Sequence, residues 1–178
     1  MALDPDLTEF TTASPYVVSY SYIDTVNQTG IQTFYGMISR TSTGDDFFLS
    51  TQADYGRDEI DTTTNRNYDA SPFSTPRTAS GTATINFYGR MSGGGITSWG
   101  ARLYHYDGTT ETAISSTITS KNDSGDYHHI LKLPLTEKLF KKGDILRLTL
   151  THTGHDASAF YIEASKPIKL NVPFKLNL

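Results

Sequence analysis

The last eleven residues constrain the fold more than any other stretch. Ile168, Leu170, Val172, Phe174, Leu176 and Leu178 alternate without a break with Lys169, Asn171, Pro173, Lys175 and Asn177. Apolar side chains at period two share one face of a strand, whereas a helix would scatter them around its axis. A sheet with one apolar face needs a second layer to cover it, so the chain must pack a sheet against something. Pro173 falls on the polar set and cannot donate to a ladder, which predicts an edge strand, or a bend at that point.

The same alternation recurs upstream. Over 144–152, Leu146, Leu148 and Leu150 face one way and Arg147, Thr149 and Thr151 the other, after a turn at 141–144 in which Gly143 supplies permissive dihedrals. Over 127–135, Leu131, Leu133 and Leu135 form the inward set and leave Ile130 outside it. Residues 82–91 put Ala83, Ile85, Phe87 and Met91 on one side; residues 98–106 put Trp99, Ala101 and Leu103 opposite Arg102, Tyr104 and Tyr106. The glycines between them, at 92–96, predict a hairpin connection. Further strands are expected at 16–23, 33–39, 47–50, 111–120 and 158–164. The best helical candidate is the short 136–143 stretch, where Thr136 would cap a single turn. About nine or ten short strands at such spacing predict an all-β antiparallel sandwich with jelly-roll topology. The 11 Tyr and 9 Phe suit it.

The 178 residues fit one domain, 15–178, with a polar N-terminal arm over 1–14. A connection over 51–81, rich in Asp, Thr, Asn, Ser and Pro, is longer than ordinary loops and is expected to be functional or mobile. The absence of Cys excludes disulfide scaffolds, thiol catalysis and Cys-ligated zinc. The net charge of −4 argues against a nucleic-acid partner. The short apolar runs argue against a membrane span, and the acidic start argues against a signal peptide. That charge is uneven: residues 1–65 hold ten acidic groups against Arg40 and Arg57, a net of −8, and the remainder carries +4. Such asymmetry reads first as a solvated acidic loop region, and otherwise suits the two ends of the chain to different neighbours or to each other.

Catalytic patterns are sparse. There is no Gly-x-Ser-x-Gly elbow, and the Gly-rich 89–100 stretch lacks the Lys of a phosphate loop. His152, His155 and Asp156 are the best metal-ligand candidates, but they straddle a strand end and a turn, so surface histidines at strand ends, with no metal, are the expectation. His128 and His129, adjacent on a strand, point to opposite faces. Asp54, Asp58, Glu59 and Asp61 form an acidic cluster without the order of a calcium loop. Glu111, Glu137 and Glu163 show no pairing that singles out a glycosidase. No cofactor is expected. Trp99, Arg102, Tyr104 and Tyr106 are the binding candidates: aromatic rows on a sheet pack in the core, meet a protein partner or stack on sugar rings.

The KLFKKGDILRLTLTHTG stretch at 138–154, a basic turn with Gly-Asp feeding a Leu-alternating strand, resembles the late strands of jelly-roll modules in viral capsid and decoration proteins and in tumour-necrosis-factor-like trimers. The closing PIKLNVPFKLNL at 167–178, with the polar arm, resembles small structural proteins of viruses and phages. The resemblance covers roughly the last third of the chain and lacks the aromatic-glycine signature of the tumour-necrosis-factor-like branch. It implies a non-enzymatic virion component, a capsid decoration or minor capsid protein assembled in the host cytoplasm. Its partners would be other capsid proteins or copies of itself. The alternatives are a carbohydrate-binding β-sandwich using Trp99, Tyr104 and Tyr106, and a metal-dependent enzyme using the histidines.

Overall fold

A computed structural model describes residues 29–41, 44–53, 60–61, 66–92, 97–122, 125–153, 159–162 and 168–176. Among them every regular element is a strand, as the alternation requires. In chain order these are β1 (Thr29–Thr41), β2 (Gly44–Ser50), β3 (Ile60–Asp61), β4 (Arg66–Ala70), β5 (Arg77–Ser92) and β6 (Thr97–Tyr106). They continue as β7 (Glu111–Ala113), β8 (Ile118–Asn122), β9 (Gly125–Phe140), β10 (Ile145–Thr153), β11 (Ala159–Ile162) and β12 (Ile168–Leu176). The expected strand at 16–23 and the arm at 1–14 lie outside the described residues.

The ladder curls into two facing layers. Sheet I runs β9–β5–β12–β1–β2, and β11 continues the β12 edge of β5. Sheet II runs β4–β10–β6, with β7 and β8 end to end along the far edge of β6. A short parallel pairing of β2 with β4 joins the layers on one side. On the other, Thr136 N–H donates to Ile114 O at 2.8 Å and a single bridge joins Ser115 to Leu135. Neighbours within each sheet are mostly distant in sequence, and β1 pairs with β12; such swapping between layers fits an all-β sandwich of jelly-roll type.

The inward faces are the alternating sets read from sequence. Ala83, Ile85 and Phe87 of β5, Trp99, Ala101 and Leu103 of β6, Leu146, Leu148 and Leu150 of β10, and Ile168, Leu170, Val172 and Phe174 of β12 are all buried in one core. Fully burying one such aliphatic or aromatic side chain contributes roughly 1.5–3 kcal/mol. Phe87 and Trp99 meet edge-on across the layers at 5.4 Å, while Phe73, Phe140 and Phe174 interlock at the opposite end.

Several expectations need correction. β12 is not an edge strand: β1 and β5 flank it. The expected bend is present, because the β5–β12 register shifts between Asn171 and Phe174. There β5 carries its own irregularity against β9, at Gly81 with φ of 94°, so the missing donor of Pro173 meets an interrupted ladder rather than an orphaned acceptor. Residues 136–140 form no helical turn; they continue β9, which pairs with β5 from Gly125 to Phe140. Cross-strand hydrogen bonds over that length outweigh one Thr cap. The 92–96 glycines do not close a hairpin either, since β5 and β6 lie in opposite layers. The 111–120 stretch divides into β7 and the start of β8 around the Ser115 bridge. The 51–81 connection contains β3, β4 and the first turnless residues of β5.

Candidate functional site

Sheet II carries the predicted Arg and Tyr residues on its outer face. Strand parity on β6 turns Arg102, Tyr104 and Tyr106 away from the core, where all three are half-buried. Trp99 has the opposite parity and is fully buried against Phe87, His129 and His152. It belongs to the core and is not accessible to a partner, which corrects its place among the binding candidates.

The outer face of sheet II neutralises itself. Arg147 on β10 forks onto Asp69 of β4, with Nε and Nη2 donating to the two carboxylate oxygens at 2.6 and 2.7 Å. Its Nη1 donates to Glu111 at 2.6 Å, and its guanidinium lies 4.7 Å over the Tyr106 ring. The Asp69 hydrogen bonds, against some desolvation and helped by Glu111, push the Arg147 pKa further up. Arg102 sits 5.2 Å over Tyr104 and donates from Nε to Ser115 O at 3.1 Å. Tyr106 spends its hydroxyl on Gly108 O at 2.8 Å. Glu111 is thus an ion-pair partner of Arg147, and neither tyrosine stands free as a stacking platform.

Sheet I presents a different outer face. Thr33, Asn171 and Thr84 form a hydroxyl–amide ladder across β1, β12 and β5, at 2.8 and 3.3 Å. In the adjoining row, register aligns Tyr35, Lys169, Asn86 and Ile130. Ile130 is 62% exposed, and Ile31, on the same face of β1, is 73% exposed.

A third feature was not singled out in the sequence. A pocket of about 310 Å³ opens beside Gln32, Phe34, Phe48, Ser50, Ser71 and Arg77, where the chain passes between the layers. Arg77 donates from Nη1 to Gln32 Oε1 at 2.6 Å and from Nη2 to Thr75 Oγ1 at 3.2 Å, and its guanidinium stacks 4.3 Å from the Phe73 ring. Desolvation lowers its pKa from the ordinary arginine value. Phe73 is held in turn by Asp144: Phe73 N donates to Asp144 O at 3.0 Å and Gly143 N to Phe73 O at 2.9 Å. The buried Asp144 carboxylate meets His105 Nε2 at 2.6 Å and accepts from Lys141 N at 2.8 Å. The predicted Gly143 turn, with φ of 95°, is therefore a clamp on the pocket wall. The sequence signal lay in 51–81, expected to be functional or mobile, but Gln32 and Phe34 come from β1.

The metal candidates do not assemble among the described residues, where no group of three or more His, Asp or Glu is placed to hold an ion. His152 packs beside Trp99 at 5.9 Å; His155 and Asp156 lie outside the described residues, as do Asp54, Asp58, Glu59 and Glu163. His129 is 2% exposed, stacked on Phe87 at 5.0 Å and bonded through Nδ1 to Ser120 Oγ at 3.0 Å. Burial, with a smaller push from His128, lowers its pKa to about 4.

No protein-family model and no curated protein matches the chain. Solved structures do resemble it. A CocE/NonD family hydrolase from Staphylococcus aureus aligns at a TM-score of 0.61 and 9% identity, over 83% of this chain and 37% of that one. An alpha-amino acid ester hydrolase aligns at 0.54 and 12%, over 64% of this chain and 26% of its own. An aminopeptidase from a marine sediment archaeon, Thaumarchaeota archaeon, aligns at 0.52 and 10%, with the same two coverages. The chain thus spans roughly a quarter to three-eighths of these proteins. At such identity the likeness shows the fold alone.

Proposed function

We propose that this chain is a non-enzymatic contact module, a decoration or minor capsid component of a viral or phage particle, that meets neighbouring subunits through the outer face of sheet I. The observation that carries the reading is Ile130, a large aliphatic side chain left 62% exposed in a flat row with Tyr35, Lys169 and Asn86. Ile31 repeats the feature on β1, across the Thr33–Asn171–Thr84 ladder. Apolar and aromatic groups surrounded by hydrogen-bonding ones fit a wet, specific protein interface. Lys132 and Lys169 lie on this face by strand parity, and residues 1–65 carry the chain's acidic excess. The favoured occupant is therefore a neighbouring copy, presenting its acidic leading segment.

The particle setting rests on the resemblance of the closing strands to capsid-associated jelly rolls. Light scattering on the full chain over a range of concentrations tests the contact itself. A concentration-dependent oligomer that dissociates on Ile130→Lys or Lys169→Glu supports it. A monomer at all concentrations that also fails to bind shells of the source particle removes it.

A further inference from the structure

We infer that the pocket at Arg77 is a binding site for an acidic monosaccharide unit, a single hydroxylated ring bearing one carboxylate. This goes beyond the contact function and uses none of its residues. The guanidinium is the charge-recognising element. Its described partners, Gln32 and Thr75, are neutral, so no described carboxylate neutralises it. Each terminal nitrogen carries a second N–H for which no described residue is a partner, available to a carboxylate oxygen.

The charge balance selects a monoanion. Among the described residues that line the pocket, Arg77 is the only Lys or Arg, and none is Asp or Glu. One guanidinium neutralises a carboxylate, whereas a phosphate dianion would remain half-compensated. The body of the ligand follows from the rest of the lining. Ser50, Thr51, Ser71 and Ser74 supply hydroxyls, and Phe34, Phe48 and Phe73 supply apolar surface. Ser50 Oγ accepts from Gln52 N at 3.0 Å, so its own O–H remains available to donate. A volume of about 310 Å³ lies at the lower end of ligand pockets and suits one ring rather than a chain.

One wall of the site is held in place without a ligand. Phe73 stacks under the guanidinium and is clamped to the Gly143–Asp144 turn, which His105 anchors to β6. Fixing the groups in advance removes much of the ordering cost of binding.

The test is titration of the full chain with glucuronate, glucose and N-acetylphenylalanine, followed calorimetrically and by chemical-shift changes. Glucuronate is expected to bind saturably, at least tenfold more tightly than glucose, and to weaken with added salt. Arg77→Gln is expected to lose at least tenfold and Arg77→Lys, which keeps the charge without the fork, severalfold; Arg102→Gln on the other sheet should change nothing. Should Arg77→Gln not fold, Ser71→Ala with Ser74→Ala reads the same pocket, with a severalfold loss expected. Equal affinity for glucuronate and glucose, or glucuronate binding indifferent to all the pocket substitutions, overturns the assignment. N-acetylphenylalanine binding more tightly than glucuronate overturns the sugar and leaves only a carboxylate site.

Discussion

The two outer faces are built from the same pleated backbone and handle their side chains in opposite ways. On sheet II the charges are spent internally: Arg147 satisfies Asp69 and Glu111, Arg102 covers Tyr104, and Tyr106 bonds back to its own turn. On sheet I the polar groups close a ladder in the middle, while Ile130 and Ile31 stand in water on either side. The face richest in Arg and Tyr is thus not the one with most left to offer a partner. Residue type marks a candidate surface; unspent capacity decides between candidates.

That contrast can be broken at several points. Both faces rest on the core between them, so the largest effect belongs to Trp99. Trp99→Ala should cost about 3–5 kcal/mol in chemical denaturation, weakening all surfaces together; a stable variant with selectively lost binding would return Trp99 to the functional residues. Gly89 belongs to the same contact, since a Cβ there would lie 2.9 Å from the Trp99 ring.

Next comes pH. His129 titrates near 4 when folded and near its ordinary 6.5 when unfolded. Between those values the unfolded chain holds a proton that the native state lacks, so stability is full above about pH 6.5 and falls as pH drops toward 4. The loss should reach about 2–3 kcal/mol and shrink in His129→Phe, as read from unfolding midpoints across that range. Identical pH profiles for the two proteins would show that His129 does not carry the effect.

Ile130→Lys and Tyr104→Lys compare the faces directly. The first should weaken self-association at least tenfold with little change in melting temperature, and the second less than twofold. Reversal of that order, measured by sedimentation or light scattering, would move the contact to sheet II. The smallest effect is expected from Asp69→Asn, which removes one carboxylate from a half-exposed network in which Glu111 remains. It should cost about 0.5–1 kcal/mol of stability, be partly masked by salt, and leave association unchanged.

Much of the fold was legible from period two alone. Leu146, Leu148 and Leu150 of β10, and Ile168 to Phe174 of β12, could be assigned because a half-buried strand must alternate. Ile130 was visible in the same way, as the apolar residue on the wrong parity. The pocket was not legible, because its walls come from β1, β2 and the segment before β5, and no local pattern records that they meet.

By itself, then, the sequence determined the inward face of β5, β6, β10 and β12 where it alternates, the Gly143 turn and the irregularity at Pro173. These are local consequences of side-chain periodicity and backbone chemistry. Only the tertiary structure decided that β12 lies between β1 and β5, that β5 and β6 oppose rather than pair, that 136–140 extend a strand, and that Arg77 faces a pocket with no described carboxylate beside it. Those outcomes depend on which distant strand supplies the hydrogen bonds and which side chains it brings along. That choice is made by packing two sheets over one core, not by any single stretch of chain.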